Sequence, residues 1–336
     1  MSNRIQVGLV GTGRIGQIHA RTLAMMPGVE LVAVTDINQE SARACAAACG
    51  GPRVADDYRA LLDDRSIQAV IICSSTDTHA PFITQAAEAG KHIFCEKPIA
   101  ADLDKIDAAL AAVERAGVRL MIAFNRRFDA NHRRIKQAIE SGEIGVPHRL
   151  HIVSRDPAPP PIDYIKVSGG LFFDMTIHDF DMARFLLGDV DEVYAAGGVM
   201  VDPRIGAAGD IDTAVITLKF TSGALGTIEN SRQAVYGYDQ RVEVFGSKGT
   251  ARSENWYPNA VTVSTAQSVA RDLPLNFFLE RYLGSYQAEM EAFVRCLSDG
   301  APPPVTGADG RAPVVIAMAA LKSYHENRPV KIAEMG

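Results

Sequence analysis

A strand-like run, Ile5 to Val10, ends directly in Gly11-Thr12-Gly13-Arg14-Ile15-Gly16, and the residues after it continue with helical spacing. Glycines at these three positions let the chain turn tightly and bring its backbone close to a pyrophosphate, whose charge the free N–H groups of a helix start would meet. Three glycines alone are a weak sign. Here they stand between a strand and a helix, and a second apolar run, Leu31 to Thr35, ends at Asp36, twenty residues past Gly16. A carboxylate there can accept hydrogen bonds from both ribose hydroxyls and would repel a 2′-phosphate, which points to NAD over NADP. Arg14, near the expected adenosine end, is the residue that would tolerate such a phosphate. The alternative is a glycine turn that only packs helix on strand, with Asp36 capping the next helix.

The pattern around this fingerprint predicts a layered fold. Leu31 to Thr35, Ala69 to Cys73, His92 to Cys95 and Leu120 to Ala123 are short β-branched runs, of the length of buried parallel strands. Ala-rich stretches of helical spacing lie between them: Ile15 to Met26, Gln39 to Cys49, Pro81 to Ala89 and Leu103 to Ala116. Such alternation implies βαβ units and a parallel sheet covered on both faces. At 336 residues the chain is too long for one core of ordinary size, and the pattern changes beyond Ala123. We therefore expect a dinucleotide-binding domain over 1–123 and a second domain over 124–336.

The second part reads as α+β. Helices are expected over Ala130 to Ser141 and Met175 to Leu187, with a strand over His148 to Arg155 leading into the extended Pro157-Ala158-Pro159-Pro160-Pro161. Period-two stretches follow: Glu192 to Met200, Asp212 to Phe220, Ala224 to Ser231, Arg241 to Phe245, Thr250 to Glu254 and Ala260 to Ser264. Turn signals between neighbours imply a large, mostly antiparallel open sheet. Its alternation does not tell which face is wet, Val215, Thr217 and Lys219 or Ala214, Ile216 and Leu218. Two late helices are expected, Tyr282 to Leu297 and Arg311 to Glu326.

Charge and composition exclude other classes. With 34 basic against 40 acidic residues the chain has no general attraction for a polyanion, so nucleic acid is not an expected partner. No stretch approaches the ~20 apolar residues that cross a bilayer, and no export signal opens the chain. Five cysteines, mostly in apolar surroundings, read as reduced thiols in a cytoplasmic protein. Cys45 and Cys49 lie one helical turn apart but lack partner ligands, so no metal is expected.

Two further clusters carry chemistry. Cys95-Glu96-Lys97-Pro98 stands at the carboxyl end of a strand, where ligands of open α/β sheets bind. A lysine there can hydrogen-bond a substrate oxygen; from position alone, a solvated lysine paired with Glu96 weighs equally. Ser74, Ser75 and Thr76 follow the preceding strand, where hydroxyls of Ser74 and Thr76 could reach a nicotinamide ribose or cap a helix beginning near Pro81. The last cluster is Gly169 to Asp181. If it opens a helix, Asp174, His178 and Asp181 share one face, and a carboxylate beside an imidazole orients a general base. On spacing alone, a surface ion pair is the plainer account.

These clusters, in this order, resemble the glucose-fructose oxidoreductase and inositol dehydrogenase family (Gfo/Idh/MocA) over essentially the whole chain. The stretches Ser154-Arg155-Asp156-Pro157 and Asp174-Met175-Thr176-Ile177-His178-Asp179-Phe180-Asp181-Met182-Ala183-Arg184 resemble its inositol 2-dehydrogenase branch. The resemblance implies a Rossmann domain, NAD as cofactor, and oxidation of a cyclic polyol, myo-inositol first, with another inositol epimer (scyllo- or chiro-inositol) or a pyranose sugar as the alternative. It implies Lys97 as the essential lysine before a cis Pro98, and Asp174 and His178 as the catalytic pair, which reverses the weighing of the last cluster. Gly11, Gly13, Arg14, Ile15, Gly16, Asp36, Ile37, Ser74, Thr76, Glu96 and Lys97 would contact the cofactor. Arg127, Arg155, Asp156, Thr176 and Tyr236, with Lys97, Asp174 and His178, would line the polyol pocket. Homotetramers built from sheet-to-sheet dimers are implied as well. Two other classes stay open: a non-catalytic dinucleotide-binding sensor, expected to have lost Lys97, and an NAD-dependent glycosidase, expected to cleave glycosides without net NADH.

Overall fold

In the computed structural model, residues 4–335 are described. The apolar runs form β1 (Ile5–Val10), β2 (Val29–Thr35), β3 (Arg53–Val54), β4 (Ala69–Ile72), β5 (His92–Glu96) and β6 (Leu120–Ala123), with α1 (Arg14–Met25), α2 (Gln39–Ala48), α3 (Tyr58–Leu62), α4 (Thr76–Glu88) and α5 (Leu103–Ala116) between them. All six strands run parallel in the order β3-β2-β1-β4-β5-β6. The order reverses between β1 and β4, so the loops after these two strands diverge and leave a crevice at the carboxyl edge. β4 and β6 are buried at every residue, as strands covered on both faces must be. Helix α4 begins five residues before Pro81 and carries that proline inside, losing only the bond its N–H would have made. The two-residue β3 is too short to leave a periodic signal.

The chain divides into two units, Met1–Phe128 with Gly284–Val314 and Asp129–Leu283 with Val315–Gly336. The nucleotide unit is therefore discontinuous, where the sequence pattern suggests one cut at residue 123. Late residues complete its core: Phe293 packs on Phe94 at 5.5 Å between ring centres, and the Ile122 N–H on β6 donates to the Val305 carbonyl at 3.2 Å. Periodicity locates a helix but not the core it serves.

The second unit holds α6 (Ala130–Glu140), β7 (Pro147–Arg155), the short α7 (Ile162–Ile165) and α8 (Leu171–Asp174), α9 (Ile177–Leu187), β8 (Val190–Gly198), α10 (Pro203–Ala207), β9 (Thr213–Phe220), β10 (Leu225–Ser231), β11 (Asp239–Gly246) and β12 (Gly249–Ser253). It also holds β13 (Thr262–Ser264), β14 (Val269–Arg271), α11 (Phe278–Arg281) and β15 (Val330–Lys331), while α12 (Leu283–Asp299) belongs almost wholly to the first unit and α13 (Gly307–Glu326) begins in the first unit and ends in the second. Seven strands make a mixed sheet in the order β12-β11-β7-β10-β9-β8-β15, with β7 and β10 parallel and the other pairs antiparallel. On β9, Ala214, Ile216, Leu218 and Phe220 are buried, so Val215, Thr217 and Lys219 are the open face. The expected strand at 260–264 does not join this sheet; β13 pairs with β14 in a separate ribbon.

Candidate active site

In the first unit, the candidate cofactor site is built on the carboxyl edge of β1. Gly11 has φ +91°, and a Cβ there would lie 2.4 Å from the backbone of Cys73 and Ser74, so only glycine fits where the loops after β1 and β4 cross. A Cβ on Gly16 would meet the Gly11 carbonyl, whereas one on Gly13 would meet nothing within 4 Å. Two glycines thus serve the packing and the third leaves open space. That space faces the start of α1, whose N-cap Gly13 offers no side-chain bond and whose first turn carries no acid. The first N–H groups of the helix are left for an anion. Arg14 is exposed at the first helical position, with Ile15 half-buried behind it.

Asp36 sits beside this loop. One carboxylate oxygen accepts the Thr12 N–H at 2.6 Å and its hydroxyl at 3.1 Å, and the other accepts the Asn38 N–H at 2.8 Å. The cap of α2 is Asn38, not Asp36, so the carboxylate is tied to the glycine loop and not spent on a helix start. Ile37 beside it is fully exposed, an apolar face beside the expected ribose position. Ser74 and Thr78 share a hydroxyl bond of 2.5 Å, and Thr76 opens α4 instead of preceding it. His79 is buried with Nδ1 2.7 Å from the Pro98 carbonyl and Nε2 3.0 Å from that of Ser74, strapping the loop after β5 to the loop after β4. Lys97, half-buried, precedes Pro98 through a cis peptide bond, as expected. These groups fit a dinucleotide: open space at Gly13, an unblocked helix start and a fixed carboxylate.

In the second unit, a polar cluster lies at the carboxyl ends of the parallel pair β7 and β10. Asp174 closes α8, and after Met175 and Thr176 a new helix, α9, opens with Ile177-His178. The expected single helix is thus two, and Asp181 is fully buried instead of sharing an exposed face with the half-buried Asp174 and His178. Asp174 is firmly held: Tyr164 donates its hydroxyl to Oδ1 at 2.8 Å, and Arg232 donates from Nη1 to Oδ2 at 3.2 Å. Arg232 is 1% exposed and reaches Asp210 with its other nitrogen at 3.5 Å, while Asp210 accepts the Leu171 N–H that starts α8 at 2.9 Å. Tyr164, Asp210 and Arg232 are absent from the sequence expectations.

Arg155 and Tyr236 come together at this edge. Arg155 donates to the Tyr236 hydroxyl at 3.0 Å, to Glu229 at 2.8 Å and to Asp239 at 3.3 Å, and Tyr236 donates to Asp239 at 2.6 Å. Burial pushes the Asp239 carboxyl up, but bonds from Arg241, Tyr236 and Asn255 outweigh it and hold it below its ordinary range. Asp156, the next residue, is fixed through its backbone to Ser231 and Ala234. One expected pocket residue turns away from this edge. Thr176 is fully buried, its hydroxyl donating to Asn230 at 2.6 Å, and Asn230 donates on to Asp179 at 2.8 Å; it braces the framework instead of facing a ligand. Arg127, also buried, pairs in the first unit with Asp309 at 3.1 Å.

Comparison with known proteins agrees with this architecture. Residues 5–124 match the oxidoreductase family described as an NAD-binding Rossmann fold, and residues 132–252 match the GFO/IDH/MocA C-terminal domain. The chain is 48% identical to the myo-inositol 2-dehydrogenase of Thermotoga maritima over 98% of its own length and 99% of the relative's. It is 45% identical to an inositol 2-dehydrogenase of Rhizobium meliloti over 98% and 99%. Among solved structures, the scyllo-inositol dehydrogenase of Lactobacillus casei with NAD(H) and scyllo-inositol bound superposes with a TM-score of 0.92, at 30% identity over 98% and 99% of the two chains. With both domains matched and full-length relatives at this identity, the chain belongs to the GFO/IDH/MocA oxidoreductase family, carrying its NAD-binding Rossmann fold.

Proposed function

We propose that the protein is an NAD-dependent inositol 2-dehydrogenase that oxidises myo-inositol to the 2-keto product. The observation that carries this reading is the anchoring of Asp174 by Tyr164 and Arg232, four residues before a half-buried His178. The names of the relatives in Thermotoga and Rhizobium support it.

NAD, when bound, supplies the acceptor for the hydride of the carbinol carbon. The protein's own residues handle the rest. His178, oriented by Asp174, takes the hydroxyl proton. Lys97, at the carboxyl end of β5, donates a hydrogen bond to the developing alkoxide. Gly11 to Gly16 hold the pyrophosphate, Asp36 the adenosine ribose, and Ser74, Thr76 and Glu96 belong to the nicotinamide end. Arg155, Asp156 and Tyr236 read the ring hydroxyls, an uncharged pattern that only placed donors and acceptors can recognise.

Initial rates with myo-, scyllo- and chiro-inositol and with glucose, each with NAD and with NADP, test this reading. Myo-inositol with NAD should be fastest. Inactivity with every inositol would overturn it, and equal rates with NADP would remove the role given to Asp36. The Lactobacillus structure keeps scyllo-inositol as the second reading.

The open face of the seven-stranded sheet carries Tyr194, Val215, Leu225 and Phe245, exposed by 36% to 52%. This supports sheet-to-sheet dimers assembling into a homotetramer, since apolar side chains in such a row favour burial. Light scattering should give four times the chain mass; a monomer would refute it. Five free thiols support a cytoplasmic setting. Among the described residues no helix is long and apolar enough to cross a membrane.

A further inference from the structure

Behind the strand end that carries Lys97, three side chains of the first unit converge. His19 on α1 places Nε2 2.9 Å from Oε1 of Glu96, and one oxygen or nitrogen of each of His19, Glu96 and Glu289 lies within 4.8 Å of the other two. Oε2 of Glu96 accepts the backbone N–H of Lys97 itself at 3.3 Å. Glu289, on α12, is 0% exposed, and neither of its carboxyl oxygens has a hydrogen-bond partner.

A buried carboxyl without donors cannot stay ionised next to a second carboxylate: two such groups sharing a site hold one proton between them. The Tyr286 ring packs against His19, and desolvation, then the charge of Glu96, keeps the thiol of Cys73, just past β4, protonated. Burial first, and Glu96 second, push Glu289 well above the ordinary carboxyl range. A divalent cation is the competing way to satisfy two carboxylates and an imidazole. It fits poorly, because Nδ1 of His19 is buried with no acceptor, whereas a metal-bound imidazole almost always donates its other N–H to an outer partner.

We propose that Glu289 is a positioning residue that acts through Glu96: it contributes the shared proton of a buried His19–Glu96–Glu289 triad, and that triad holds the backbone of Lys97 in register. Glu96 is the carboxylate that lies within 4.8 Å of Glu289, and a proton kept on Glu289 leaves the charge of the pair on Glu96, the member that meets His19 and the Lys97 N–H. This inference rests on the reading of Lys97 as the group that meets the alkoxide.

Infrared spectroscopy and kinetics of the full-length protein with NAD test it. Wild type at neutral pH should show the carbonyl stretch of a protonated carboxyl, and Glu289→Gln should remove it. Glu289→Leu should lower kcat about tenfold or more, with the KM for NAD changed much less, as a displaced catalytic group does. Glu289→Gln keeps a neutral donor of the same length and should lose less than about threefold. The proposal is overturned by any of four results: a band that persists in the Gln variant, a Gln variant as slow as Leu, wild-type kcat in the Leu variant, or a stoichiometric divalent metal that Glu289→Gln loses. If the Leu variant does not fold, the infrared band and the Gln variant still decide. Lys97→Ala at wild-type turnover with the band intact would sink the role of Lys97 and leave the shared proton standing, so the two failures are distinguishable.

Discussion

Lys97→Ala and His178→Ala are each expected to lower turnover at least about a hundredfold, the usual scale for a positioned acid–base group. The two losses have different origins. Without His178 no imidazole follows the anchored Asp174, and the hydroxyl proton must leave to water. Without Lys97 the oxygen loses a cationic donor as its charge develops. NAD binding, followed by fluorescence, should stay nearly intact in both variants, since Gly11, Gly16 and Asp36 owe their positions to backbone contacts and to Thr12 and Asn38. Near-wild-type turnover in either variant would refute the role assigned to that residue. A matching fall in NAD affinity would make the residue a cofactor ligand instead.

Arg232→Met should harm stability and rate together. The guanidinium is 1% exposed between Asp174 and Asp210, whose side chains are 14% and 11% exposed. Methionine fills much of the volume but leaves two half-enclosed carboxylates facing each other without the charge between them. Breaking a buried pair from one side costs about 3–5 kcal/mol, which denaturant unfolding would measure. Turnover should fall about tenfold or more, because Asp174 would lose the guanidinium that holds its Oδ2. Arg232→Lys restores one charge but not the fork that spans two carboxylates, so it should fall between. A methionine variant as stable and as fast as wild type would mean that Arg232 does not hold Asp174 in place.

Much of the nucleotide unit was legible because its signals are local. A buried strand, three glycines and an acid at the end of the next strand are each decided within a few residues, and Gly11 and Gly16 stand where backbone contacts demand them. The order and cis geometry around Lys97-Pro98 followed from a resemblance, not from spacing. What stayed hidden is long-range. Arg232 lies 58 residues from Asp174, and nothing in its neighbourhood along the chain marks it as that carboxylate's partner. Thr176 sits in the most telling motif of the sequence, yet its hydroxyl turns inward to Asn230, 54 residues on. Helix spacing alone could not place the break after Asp174, because residues on either side of it are equally apolar. The two carboxylates beneath Lys97 show the same limit: one lies in the motif, the other 193 residues later, and only the fold brings them within reach.

The return of Gly284–Val314 to the first unit sets an order on synthesis. When residues 1–128 have left the ribosome, the parallel sheet still lacks Phe293 against Phe94 and has β6 open where Val305 will pair. An unpaired strand beside an apolar gap is a template for wrong partners. The nascent nucleotide unit must therefore wait, partly built, through the emergence of six of the seven strands of the mixed sheet, and the residues that complete its core arrive only with Gly284–Val314.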